Sequence, residues 1–148
     1  MKTAMPKFPE IECASRETLI AHQSKRLATL IGGLLGRNPF YTKKLARANV
    51  DVKQLSFPND LSSLPFTTKS ELVADQTTAP PWGTALSEPI THYTRYNQTS
   101  STTGTPLRWI DTAESWQWML DCWKAVYRAA RVSDEDRIFF PFSFGPFL

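Results

Sequence analysis

At 148 residues, with 41% hydrophobic side chains that include five Trp and nine Phe, the chain holds enough apolar material for the core of one ordinary domain, which excludes wholesale disorder. Its 17 Lys and Arg against 14 Asp and Glu give a formal charge of +3, and the basic residues are scattered, Lys25-Arg26 and Lys43-Lys44 being the densest pairs. Without a basic stripe interleaved with aromatics, a nucleic-acid partner is not indicated.

MKTAMPKFPEIE at the N-terminus has no apolar run behind Lys2, and no stretch approaches the ~18 residues of a membrane span, so neither export nor insertion is expected. Ser15 to Leu35 reads as an amphipathic helix, with Leu19, Ile20, Leu27, Leu30, Ile31 and Leu34 at three- and four-residue steps and Ser15 as its cap. Gly36 stops it. Asn38 then caps a second helix with Pro39 in its first turn, running to about Ala48. Residues 50–65 read as loop with one short helical turn. Thr68 and Glu71 form a capping box for a helix from Lys69 to about Gln76, ahead of Pro80-Pro81.

Ile90 to Asn97 and Leu107 to Ile110 read as two strands. Asp111 with Glu114 three residues on caps a helix to about Arg131, whose Trp116, Met119, Leu120, Trp123, Val126, Tyr127 and Ala130 make one apolar face, read as core in preference to a ligand-stacking surface. Asp134-Glu135-Asp136 reads as a solvated turn. The apolar run from Arg137 to Phe142 suits a strand buried on both faces. The fold class expected is α/β: a mainly helical lead-in over 1–80, then over 81–148 the beginning of a layered sheet.

Between the two strands lies QTSSTTGTP, with six hydroxyl side chains in the seven positions from Thr99 to Thr105. Such clusters are ordinary turns more often than ligand loops. Small residues nevertheless let backbone N–H groups converge on phosphate oxygens, hydroxyls add donors, and glycine permits close approach. The absence of GxxxxGK with Ser or Thr excludes the Walker form. His22 and His92 lack neighbouring ligand motifs and read as structural, so no metal site is expected. Cys13 and Cys122 form neither a CxxC motif nor a disulfide framework, and a reducing cytoplasm is the simplest compartment.

TSSTTGTP resembles the phosphate loop of the adenylate-forming ligases, usually [ST]-S-G-T-T-G-x-P. The order NPFY, LPFTTKSEL, loop, Trp-rich helix and FGPF resembles the phenylacetate-CoA ligase branch. The resemblance covers residues 19–148. It implies that a carboxylate attacks the α-phosphorus of ATP, with Mg²⁺ on the phosphates, to give an acyl-adenylate and pyrophosphate, and that coenzyme A then displaces AMP. Aryl and arylacetic acids are the implied substrates. Carried over, Thr99, Ser100, Ser101, Thr102, Thr103 and Gly104 form the ATP phosphate loop. No catalytic residue is assigned.

Two positions depart from the usual pattern. Ser101 replaces the first Gly, at about 1–2 kcal/mol if that position is left-handed, and Thr105 stands where Lys is frequent. Arg108 offers another cation, although on a strand it is expected to face solvent. The adenine pocket, the magnesium-binding acid, the ribose-binding Asp and the C-terminal lid implied by the family have no counterpart in the sequence. The chain is thus expected to be the N-terminal portion of such a ligase, inactive alone. The competing expectation is a non-enzymatic interaction module on part of the ligase fold.

Overall fold

The linkers before the first two long helices each end in a polar residue that closes the helix behind it. In the computed structural model, which describes residues 9–100 and 104–141, a short 3-10 turn over Glu10–Cys13 precedes α1, Arg16–Leu34. Ser15 caps α1 as expected, its Oγ accepting from the Thr18 N–H at 3.3 Å. Gly36, at φ +73°, turns the chain out of the helix. Asn38 then caps α2, Pro39–Arg47: its Oδ1 accepts from the Tyr41 N–H at 3.1 Å while its Nδ2 donates to Ser87 Oγ at 3.0 Å. At 2% exposure, this is a buried polar side chain satisfied at both ends.

Two 3-10 turns, Val52–Gln54 and Asn59–Ser63, occupy the segment where one was expected. The capping box of α3, Lys69–Thr78, has both arms: Glu71 N–H donates to Thr68 Oγ1 at 3.3 Å, and Thr68 N–H donates to the Glu71 carboxylate at 2.7 Å. Lys44 of α2 pairs with the same carboxylate, so one side chain caps α3 and ties it to α2. Lys44, and then the Thr68 N–H, hold the Glu71 pKa down from 4.5 to about 2. A depressed carboxylate pKa contributes stability that is complete above the unfolded value and disappears as pH falls through the folded one. Glu71→Gln should therefore lower the melting temperature at neutral pH, and its gap from wild type should close between about pH 4.5 and pH 2 in thermal scans. A gap that stays constant over that window would show that the pair contributes nothing through charge.

The expected first strand begins later than its sequence suggests. Pro89 leads into a 3-10 turn over Ile90–His92, and β1 spans Tyr93–Gln98. It pairs antiparallel with β2, Arg108–Thr112, with Asn97 opposite Trp109 and Gln98 opposite Arg108, and the register slips between Tyr93 and Arg95. Helix α4, Ala113–Ala129, follows β2 directly. Its cap is Thr112 rather than Asp111: Thr112 Oγ1 accepts from the Ser115 N–H at 3.1 Å, and the Asp111 carboxylate accepts from the Ser115 hydroxyl at 2.9 Å. With the first helical residue at Ala113, Thr112 sits where a cap must, and Asp111 is one residue too early.

Among the described residues the buried apolar side chains are Ile31, Leu45 and Leu107. The apolar face of α4 is not the core that its periodicity suggests. Trp118 is 58% exposed and Trp123 50%, with Leu120 and Val126 exposed beside them, while Trp116, Met119 and Tyr127 are half-buried. Arg95 of β1 stacks over Trp116 at 4.3 Å, which accounts for the cover at the start of the helix. Leu30 of α1 is likewise 62% exposed. After α4, Asp136 closes a turn by accepting from the Ser133 N–H at 2.7 Å and its hydroxyl at 2.9 Å. Residues 137–141 do not form a strand, Phe139 is 85% exposed, and Phe142 lies outside the described residues. A strand needs a ladder partner, and the sheet among the described residues has two strands, both earlier in the chain.

Candidate phosphate-binding loop

The antiparallel hairpin delivers the hydroxyl-rich loop, and its neck is closed by its own first residue. Thr99 N–H donates to the Leu107 carbonyl at 2.9 Å, and Leu107 N–H donates back to Thr99 Oγ1 at 3.0 Å. The Thr99 hydroxyl oxygen is thus the acceptor that closes the neck. Leu107, at 3% exposure, anchors the far side of the neck in the core.

Ser100 is exposed at the start of the loop. Gly104 is exposed as well, and a Cβ built on it meets nothing within 4 Å. Ser101, Thr102 and Thr103, the other predicted phosphate contacts, lie outside the described residues.

Arg108 does not face solvent as expected. It is half-buried, and its Nη1 donates to the Pro81 carbonyl at 3.2 Å. Arg95 is held over Trp116. Both hairpin arginines are therefore engaged by the protein. His22 and His92 are exposed, and His92 Nδ1 lies 3.3 Å from Glu88. Among the described residues, no three His, Cys, Asp or Glu side chains gather into a metal cage.

Sequence reasoning missed the support beneath the loop. Asp75, near the end of α3, accepts from the Thr84 N–H at 2.6 Å and from its hydroxyl at 2.7 Å, pinning the turn Pro80-Pro81-Trp82-Gly83-Thr84. Gln76 bonds to the backbone of Arg108 through both ends of its amide, at 2.7 and 3.1 Å. A cleft of about 490 Å³ opens between α3, β2 and the segment following that turn, with Leu72, Trp82, Leu86, Tyr93 and Trp109 among its walls. These contacts join residues 9 to 32 positions apart, and no local pattern announces them.

No family model matches the chain. Over 98 residues, 66% of its length, it is 37% identical to a phenylacetate-coenzyme A ligase of Thermus thermophilus. The chain spans 21% of that relative. Its structure resembles 2-hydroxyisobutyryl-CoA ligase in an open conformation with 2-HIB-AMP and CoA, at a TM-score of 0.72 and 20% identity, covering 82% of this chain and 28% of that one. The same ligase in its thioesterification state gives a TM-score of 0.73 and 22% identity, covering 82% and 26%. The helices, hairpin and α4 thus share the α/β fold of part of that CoA ligase.

Proposed function

We propose that this chain, phenylacetate-CoA-ligase-like in sequence, supplies the phosphate-binding portion of an ATP-dependent ligase that turns a carboxylic acid into an acyl-adenylate and then into a CoA thioester. The observation that carries the proposal is the loop from Thr99 to Gly104, closed at its neck by the Thr99 and Leu107 backbone and seated on a hairpin in a chain with this likeness. In this reading residues 1–80 are the helical lead-in, and 81–148 begin the sheet domain. The acid is aryl or arylacetic, and the compartment is cytoplasmic. No helix among the described residues is long and apolar enough to cross a membrane.

The chemistry asked of these residues is stabilisation of a leaving group. When a carboxylate oxygen attacks the α-phosphorus, the bond to the β-phosphate oxygen breaks and pyrophosphate departs with added charge. Donors already in place around its oxygens lower that barrier without reorganising. Thr99, Ser100 and Gly104, with Ser101, Thr102 and Thr103, are the donors assigned here. Mg²⁺ is assigned to the nucleotide phosphates, where it would offset part of their charge.

With part of the nucleotide site, the chain alone should not catalyse pyrophosphate–ATP exchange with any of a panel of aryl and arylacetic acids, whereas a protein extended by the remainder of the ligase fold should. Exchange by the 148-residue chain itself would overturn the expected inactivity. Failure by the extended protein across the panel would overturn the ligase reading. The exposed Trp118 and Trp123 favour a second reading, a non-enzymatic module that uses α4 as an assembly surface. It predicts no exchange in either case.

A further inference from the structure

We infer that Gln76 is a positioning residue for the phosphate loop, holding the loop's exit against α3 by splinting the backbone of Arg108. The inference rests on the phosphate-binding reading of residues 99–104. Gln76 Nε2 donates to the Arg108 carbonyl at 2.7 Å, and the Arg108 N–H donates to Gln76 Oε1 at 3.1 Å. These are the two groups that a neighbouring strand would engage. Along an antiparallel strand, successive residues present their polar groups to opposite edges. Leu107 faces the β1 side, where Thr99 holds its N–H and carbonyl. Arg108 faces away, and Gln76 holds its pair there. The two residues leaving the loop are thus gripped from both edges by side-chain and backbone groups, one grip local and one from a residue 32 positions earlier.

A cradle helps a phosphate only if its donors are already placed, because a loop that swings must be ordered at the expense of binding. The base from which Gln76 reaches is firm. Its helix is boxed by Thr68 and Glu71 at one end, and Asp75 grips Thr84 beside the other. Leucine would keep the approximate volume of Gln76 but leave the Arg108 N–H and carbonyl without these partners. Glutamate would keep the acceptor but, when ionised, set an oxygen against the Arg108 carbonyl.

The test is an amide NMR titration of the full chain with Mg-ATP and, separately, with tripolyphosphate, following Thr99, Ser100, Gly104 and Arg108. Gln76→Leu should weaken both ligands about five-fold or more and speed exchange of the Arg108 amide. Ser24→Ala removes a comparable side-chain bond to backbone, from Ser24 Oγ to the Phe57 carbonyl at 2.9 Å, and should leave affinity unchanged. Gln76→Glu should bind weakly at neutral pH and recover toward wild type at the same pH as acidification restores its O–H donor, a recovery that general loss of packing would not produce. Should Gln76→Leu fail to fold, that recovery decides the matter. Wild-type affinity in a folded Gln76→Leu, or no acid recovery in Gln76→Glu, overturns the positioning role while leaving the loop reading intact. Absence of any shift in the wild type with either ligand overturns the loop reading, and the positioning role with it.

Discussion

Gly83→Val should destabilise the chain by about 3–5 kcal/mol, from a left-handed β-branched residue and two broken charge-assisted hydrogen bonds. Gly83 has φ +75°, and a Cβ there would lie 2.2 Å from Asp75 Oδ2. That oxygen cannot step aside cheaply, because the same carboxylate accepts from the Thr84 N–H and hydroxyl at 2.6 and 2.7 Å. A loss of this size in a chain of ordinary stability should lower the melting temperature by roughly 10 °C or more. Gly36→Val is the matched control. Its φ is +73°, but nothing lies within 4 Å of the added Cβ, so it should show the backbone cost alone. Equal losses at the two positions in thermal scans would mean that Asp75 does not hold the turn.

Leu107→Ala should follow, at about 2–4 kcal/mol for a buried leucine replaced by alanine. Leu107 is 3% exposed and its backbone closes the loop against Thr99, so the substitution removes an anchor as well as packing. Denaturant unfolding should show a lower midpoint with little change in slope. The Thr99 amide should also exchange faster than in variants at Ile31 or Leu45, the other buried apolar positions among the described residues, which are remote from the hairpin in sequence. A loss below about 1 kcal/mol would mean that the site collapses around the missing side chain, so that the neck is held by its hydrogen bonds alone.

What could be read from the sequence was local. Asn38 with Pro39, and Thr68 with Glu71, are signals spaced within one helical turn, and both work as the residue types require. At α4 the same logic chose between adjacent residues and took Asp111 over Thr112, because both have side-chain oxygens within reach of Ser115. The strand read from Ile90 starts at Tyr93, since Pro89 bends the chain into a 3-10 turn first. Burial was less legible, because it belongs to what packs on a face and not to the face itself. Trp118, Trp123 and Phe139 have the apolarity of a core but lack its cover. In the candidate site, the hydroxyl motif marked the loop. The grips of Thr99, Asp75 and Gln76 were invisible because they join segments that only the fold brings together.

The contact between Glu12 and Arg128 joins residues 116 positions apart, bidentate, with Arg128 Nε donating to Glu12 Oε2 at 3.2 Å. Closing a loop of that length costs about 4 kcal/mol of chain entropy before anything is gained. Such a pair is expected to form late, once the intervening helices and the hairpin have brought its ends together, and to act as a latch, so that the far end of α4 should be the first long element to come away when the protein breathes.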